Sequence, residues 1–305
     1  GTLDAAGEAA TLSLNTAFMT DGAVIRVRSG VSLGEPIHLA FVAAGEAPEA
    51  SYLRNLVVVE DGAAVTLVES HHGPAGMAYQ TNVATELFAG AGASLHHVRL
   101  QDEGPQALHL HTLLASVGAE ALVESLTVSV GAAVARNQLG VGFAGDGARL
   151  ALRGISMLGE RQHVDTTLVV DHATLGCESR ELFKTVLDGE ARGVFQGKII
   201  VRPGAQKTDG RMMSQALFLS EGAEFDGKPE LEIYADDVQC GHGATAGQLD
   251  EDQLFYLMAR GMPRPEAERL LITAFIGETL EAVEHEDLRE ALAARAERWL
   301  AERRG

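Results

Sequence analysis

The reading of the fold turns on Val117-Gly118-Ala119-Glu120-Ala121-Leu122-Val123-Glu124-Ser125-Leu126-Thr127-Val128-Ser129-Val130-Gly131-Ala132. A run of strand length rich in Leu and Val, 122–130, stands between two glycines that are each followed by alanine. Glycine marks the turn and alanine fits a tight corner, so the segment reads as one strand between two corners. The unit recurs in both directions. Gly62-Ala63, Gly92-Ala93, Gly147-Ala148, Gly204-Ala205 and Gly222-Ala223 are further corners, and runs such as 56–59, 65–68, 95–100, 150–155, 167–170 and 198–201 are further strands. The intervals from Gly118 to Gly131, from Gly131 to Gly147 and from Gly204 to Gly222 are similar but unequal, so the period is loose. Stacked apolar strands with small residues at the corners suit a strand-rich solenoid, because each coil buries its inner face only against its neighbours. No strict hexapeptide or nonapeptide repeat can be written. The period therefore leaves a parallel β-helix and stacked antiparallel hairpins both open.

The pattern changes near Gly247. Glycine thins out from Asp250, a plausible N-cap before Leu254, Tyr256, Leu257 and Met258, with Gly261 as the stop signal. Pro265 stands where a first helical turn begins, and Leu270, Leu271, Ala274 and Phe275 recur at helical spacing up to Gly277. Leu288, Leu292 and Leu300 then mark an amphipathic surface helix. The expected division is a β core over 1–247 and a helical domain over 248–305. Such a domain either caps one end of the β stack or presents a docking surface.

Composition narrows the function. The 305 residues carry 24 Lys plus Arg against 43 Asp plus Glu, a formal charge of −19, with 46% hydrophobic residues. That excludes a wholly disordered chain and repels phosphate backbones and anionic lipid, so neither nucleic acid nor a membrane surface is an expected partner. The longest basic cluster is Arg303-Arg304. No run approaches the ~18 apolar residues of a spanning helix. The start, Gly1-Thr2-Leu3-Asp4, has no basic or hydrophobic targeting region and reads as strand, which raises the expectation that an N-terminal segment precedes it in the natural chain. Two cysteines, Cys177 and Cys240, rule out a disulfide framework and fit a reducing, cytoplasmic location.

Enzyme signatures are mostly absent. Gly140-Val141-Gly142-Phe143-Ala144-Gly145 has the letters of a dinucleotide fingerprint, but a strand rather than a helix follows it. There is no P-loop and no nucleophile elbow, so any ATP has to be bound by a partner. His285-Glu286 opens a zincin-like string in which Arg289 stands where the second His belongs. His71-His72, His96-His97, His109 and His111 read as polar, outward-facing strand residues; His109 and His111 share a face and become a metal pair only with a third ligand from another coil. Cys177 reads as a small buried hydrophobe. Asp165, Asp171, His172 and Arg180 are the acid, base and cation set that a β-helix enzyme acting on a polysaccharide or acyl substrate would use, though ion pairing explains such clusters more simply.

The sharpest feature is Cys240-Gly241-His242-Gly243. In an extended chain the thiol and imidazole face one side, and the glycines let something approach the backbone. Two ligands are too few for a closed zinc site. The pair is either a half-site completed by another chain or two neighbours in a tight corner.

At these residues the chain resembles the SufB/SufD family of iron-sulfur cluster assembly scaffolds, and within it the SufD branch. The matching stretches are Lys228-Pro229-Glu230-Leu231-Glu232-Ile233-Tyr234-Ala235-Asp236-Asp237-Val238, Cys240-Gly241-His242-Gly243-Ala244-Thr245 and Gly247-Gln248-Leu249-Asp250. Upstream, Ser179-Arg180-Glu181-Leu182-Phe183-Lys184, Gly193-Val194-Phe195-Gln196-Gly197-Lys198 and Pro203-Gly204-Ala205-Gln206-Lys207-Thr208 match too, as do Phe255-Tyr256-Leu257 and Arg260-Gly261. The resemblance implies a right-handed parallel β-helix followed by a C-terminal α-helical domain. It implies a non-catalytic scaffold that pairs with a SufB-like paralogue and docks a SufC-like ABC-type ATPase, so that a transient iron-sulfur cluster forms at the scaffold interface and ATP enters only through the ATPase. No cofactor is then held stably. A purely structural homodimer, in which sheet edges join two copies of the chain, is a separate reading that differs from the scaffold only in the partner.

The family's key histidine maps onto His242, with Cys240 beside it as a second donor, and Gly241 stands where Ser is common. The ATPase-docking segment maps onto 254–275, with Arg260, Met262, Leu270 and Phe275 as its contact residues. SufD chains usually carry an N-terminal helical region, which this sequence does not display by pattern.

Overall fold

A computed structural model describes residues 10–45 and 47–303. One sheet contains β1 (Val24–Val27), β3 (Ala50–Val59), β5 (Gln80–Ala89), β7 (Leu108–Val117), β9 (Val134–Phe143), β11 (His163–His172), β13 (Arg192–Val201) and β15 (Glu224–Ile233), in that order. The other contains β2 (Ile37–Val42), β4 (Ala64–His72), β6 (Ser94–Asp102), β8 (Leu122–Ser129), β10 (Arg149–Leu158), β12 (Glu178–Leu187), β14 (Asp209–Phe218) and β16 (Gln239–Gln248). Consecutive strands alternate between the sheets and neighbours within each sheet are parallel, so the chain winds as a β-solenoid. One full coil, two strands with their turns, carries the chain from Ala50 to its register partner Gln80. The hairpin alternative is thereby removed. The interval between corners read from the sequence is half a coil, one strand and its turn, which is why no shorter repeat could be written.

The corners show what glycine does there. Gly62 has φ +66° with open space where a side chain would stand, so it is needed for the left-handed backbone. Gly118 serves differently, since a Cβ on it would come 2.8 Å from the Ala89 carbonyl oxygen of the preceding coil. The alanines at Ala63, Ala93, Ala121 and Ala148 are buried at the inner edge of each corner.

Inside, one half of the lumen is apolar, with Leu67, Leu87, Leu95, Leu113, Leu152 and Leu168 all buried in one cluster. The other half is polar. It contains Glu69, His71, His97, Arg99, Glu103, His109, His111 and Asn137, all buried. The outward reading of the histidines is therefore wrong for His71, His97, His109 and His111; it holds for His72 and His96, which are partly exposed. Alternation places the two rings of each pair on opposite faces, as expected, but the inner face here takes polar side chains because partners arrive from adjacent coils.

Four helices complete the described chain: α1 (Ala10–Phe18), α2 (Glu251–Ala259), α3 (Arg264–Leu280) and α4 (Glu286–Glu302). The strand read at Gly1-Thr2-Leu3-Asp4 lies outside the described residues, and the helix α1 corrects the expectation of no helix near this end. It is held on the first sheet by a polar anchor, Asn15, whose Nδ2 donates to the carbonyls of Leu53 at 2.9 Å and Asn82 at 3.0 Å. Asp250 caps α2, accepting from the amides of Asp252 and Gln253, and Pro265 opens α3 as read. Helix α3 passes through Gly277 instead of stopping there.

Helices α3 and α4 do not cap the stack. They lie along the outer face of the second sheet, where Ile272, Ile276, Leu292 and Trp299 meet Val98, Leu126, Ile155 and Val186. Buried Lys184 donates to the Phe275 carbonyl at 2.7 Å, and Arg295 grips Asp102 at 2.7 and 2.8 Å. Among the described residues, β15 and β16 have no strand beyond them, so the C-terminal mouth of the solenoid is open. No described helix is long and apolar enough to cross a membrane.

Candidate functional site

Cys240 and His242 lie on β16, at this open mouth. Parallel pairing sets Cys240 opposite Gly210, and His242 opposite Met212. Cys240 is half-buried and packs against the apolar lumen, so its parity on the strand turns His242 to the inner side too, where the ring is exposed at the rim. The thiol is pushed up from its usual pKa by burial first, and further by the neighbouring Asp209 carboxylate. Gly241 and Gly243 have the opposite parity. Their bare backbone faces a depression of about 900 Å³ between this sheet and α3, whose wall includes Arg153, Arg180, Arg211, Glu278 and Glu281. Cys240 and His242 belong to the same lining, together with Glu181 and Met212, so the edge strand forms one wall of the depression.

The pair can donate a thiolate and an imidazole, and no more. Among the described residues no group of three or more His, Cys, Asp or Glu is arranged to hold a metal ion. A soft cargo such as iron with sulfide suits this donor set, and completing its coordination requires ligands from outside the pair.

One residue that sequence reasoning passed over stands behind the pair. Glu181, on β12, is in register with Met212 on β14, which is in register with His242. Its side chain is 2% exposed and neither carboxyl oxygen has a hydrogen-bond partner of good geometry. Burial pushes its pKa up to about 8, against the smaller opposing pull of the Ser179 hydroxyl and the Arg180 charge. The alternation Ser179, Glu181, Phe183, each buried, was the available signal.

The enzyme set does not converge. Asp165 pairs with Arg136 at 2.7 Å, Asp171 with Arg202 at 2.8 Å and Arg180 with Asp209 at 2.7 Å, each an ion pair between adjacent coils. His172 turns inward, 3.0 Å from the Ser179 hydroxyl. Gly140 and Gly142 lie within β9, so the fingerprint letters open no helix. Cys177 is buried with its thiol free, as read.

On the helices, Arg260 is exposed and stacks over Tyr256 at 4.9 Å; Leu270 is exposed and Met262 half-buried. Phe275 is turned instead toward the seam with the solenoid, under Lys184 at 5.0 Å. The large apolar residues that stand free on α2 are Phe255 at 73%, Tyr256 at 57% and Met258 at 41% exposed.

Residues 41–275 match the family model described as the SufBD core domain of SUF system iron-sulfur cluster assembly. The chain is 34% identical to an iron-sulfur cluster assembly SufBD family protein of Synechocystis, over 89% of this chain and 62% of the relative. It is 34% identical to the iron-sulfur cluster assembly protein SufD of Escherichia coli, over 89% and 65%, and 27% identical to SufD of Bacillus subtilis, over 94% and 66%. The chain thus spans a little under two thirds of the length of these relatives. With a parallel solenoid, a helical C-terminal region and these matches in hand, the chain belongs to the SufBD family of iron-sulfur cluster assembly proteins.

Proposed function

We propose that this chain is a SufD-like scaffold subunit that pairs with a SufB-like paralogue through the open mouth of its solenoid, and that a nascent cluster forms there. The observation that carries this reading is the placing of Cys240 and His242 on the terminal edge strand. An edge strand has unpaired amide and carbonyl groups that a second sheet can complete. Two donors on it form half a coordination set, and the partner supplies the rest. His242 is the transient ligand and Cys240 its helper. The chain itself is no enzyme and holds no resident cofactor; it works in the cytoplasm.

The exposed face of Phe255, Tyr256, Met258 and Leu270, rimmed by Arg260, is where a SufC-like ATPase docks, with Met262 at its margin and Phe275 backing the helix from the solenoid side. Apolar aromatic anchors with an arginine are the composition of interface hot spots. ATP hydrolysis by that partner drives opening of the scaffold pair.

The first test is size-exclusion chromatography with light scattering of this chain mixed with SufB-like and SufC-like partners. A stable mixed assembly supports the reading, and elution of a lone homodimer overturns it. Within such an assembly, His242→Ala is expected to leave partner binding intact and to lower cluster yield. Normal yield from that variant removes His242 from the mechanism.

A further inference from the structure

A buried ammonium is costly unless a counter-charge and hydrogen-bond acceptors meet it, so it discriminates between the surroundings offered to it. Lys184 is 4% exposed and lies on the outer face of β12, beneath α3. The positions beside it on that face, Leu182 and Val186 along β12 and Ile155 on β10, are apolar. So are Ile272, Ile276 and Leu280, which α3 buries in the same seam. The Lys184 ammonium donates to the Phe275 carbonyl at 2.7 Å and to Oε2 of Glu278 at 2.5 Å. Among the described residues, no other hydrogen bond or ion pair joins α3 to the solenoid. The grips of Arg295 on Asp102 and of Arg303 on Asp188 act on α4, and reach α3 only through the contacts between the two helices.

The apolar contacts alone fix the place of α3 poorly. Ile272, Ile276 and Leu280 recur every four residues on one stripe, so a slide of one helical turn, ~5.4 Å, keeps two of the three places aliphatic and costs the seam only its end contact. The polar contact separates these seats. A backbone carbonyl is present on every turn, but a carboxylate is not: four residues before Glu278 stands Ala274, and four after it stands Ala282. In either neighbouring seat the ammonium stays under the helix with no counter-charge. A shift of three residues would bring up Glu281, but it sets Thr279 where Ile276 packs.

The geometry points to Lys184, through its pairing with Glu278, as the positioning residue that selects one seat for α3 on the solenoid. Helix α2 travels with α3, because Arg264 reaches Glu251 at 3.0 Å and Leu254 is buried. The pair therefore sets how far the exposed face of α2 and α3 stands from the edge strand β16. The seat is a property of this chain alone; its consequence for docking a partner rests on the scaffold reading.

Spin labels read the seat directly. In the full chain carrying Cys240→Ser, one label is placed at Glu266→Cys on α3 and the other at Glu178→Cys or Glu221→Cys, exposed positions at opposite corners of the solenoid. Pulsed electron resonance then gives the distance for each pair, and one narrow distance per pair is expected while Lys184 and Glu278 are present. Lys184→Met supplies an apolar side chain of similar length, and apolar replacement of a buried ion tends to be neutral for stability, so this variant is expected to unfold like its parent. It is expected to add a second distance, displaced by about 5 Å, one helical turn, in at least one label pair. Glu278→Ala is expected to add the same second distance; its carboxylate is 68% exposed, so this variant remains readable should Lys184→Met fail to fold. Lys184→Arg keeps a buried cation and is expected to keep the single distance. Single, unshifted distances in both Lys184→Met and Glu278→Ala overturn the proposal, and so does a second distance in the parent. If the distances behave as expected but no ATPase binds the wild-type chain, the seat stands and the scaffold reading falls. If the ATPase binds and the distances never change, the scaffold reading stands and the role of Lys184 falls.

Discussion

Arg99 and Glu181 lie on the inner face of the same sheet, on β6 and β12, each 2% exposed or less, yet they are buried by opposite means. Arg99 sits inside a network. It donates to Nε2 of His109 at 2.8 Å and to Oδ1 of Asn137, with the carboxylates of Glu69 and Glu103 close enough to stabilise its charge. Glu103 in turn lies 2.6 Å from Nδ1 of His109 and accepts from Thr81 at 2.7 Å. Glu181 has no such network around it and remains neutral. Charge can be kept in a solenoid lumen where successive coils supply its counter-charge. Where they do not, the proton stays on. The first region therefore keeps its charges inside, and the second keeps a carboxyl inside only in its neutral form.

The strongest way to break this comparison is Arg99→Met. Removing the guanidinium leaves two buried carboxylates without their cation, at a cost of about 3–5 kcal/mol in denaturant unfolding. A loss below about 1 kcal/mol, the scale of an exposed ion pair, would show that the network is not held together by Arg99.

The pH dependence of stability separates the two regions by sign. Burial lowers the pKa of His109, and of His172, to about 4. Between 6.5 and 4 the unfolded chain binds protons that the folded chain refuses, so stability falls as pH drops through that window, by about 3 kcal/mol for each residue at most. Glu181 behaves in the opposite way. With its folded pKa at about 8, the folded chain keeps a proton that the unfolded chain releases above about 4.5, so its contribution is lost as pH rises toward 8. Glu181→Gln should therefore match the wild type near pH 5 and exceed it by about 2 kcal/mol at pH 8.5, after allowing for relaxation around the charged form. Parallel unfolding curves for the two proteins from pH 5 to 8.5 would place Glu181 in contact with water.

The architecture was legible because its signals are local. Gly118-Ala119 and Gly131-Ala132 mark corners, and Asp250 and Pro265 mark helix starts, by rules that operate within a few residues. The choice between parallel and antiparallel stacking was not legible from these, since one strand and its turn occupy the same length of chain in both; the family resemblance decided it. At the site, Cys240 and His242 were legible as one strand's inner pair. The row from His242 to Glu181 was not, because register brings together residues two full coils apart in the chain. The buried histidines were misread for the same reason: Glu103 and Arg99, which make His109 tolerable inside, belong to a different strand or turn from His109 itself. Nor did the pattern place the helices, whose apolar stripe fits a flank and an end equally well.

The smallest effect sharpens the comparison furthest. His242 is exposed at the rim and makes no described hydrogen bond or ion pair, so His242→Ala should change unfolding stability by no more than about 0.5 kcal/mol, the usual range for a surface substitution. Arg99 and His242 would then mark the two ends of one scale, a residue that the fold requires and one that it merely displays. If His242→Ala instead cost about 2 kcal/mol or more, as truncation of a packed side chain does, the mouth of the solenoid would be built around the imidazole, and β16 would be closed to a partner strand in the free chain. A stability-neutral variant with reduced cluster yield in the assembled complex leaves ligation as the role of His242, because packing has then been measured and found to contribute nothing.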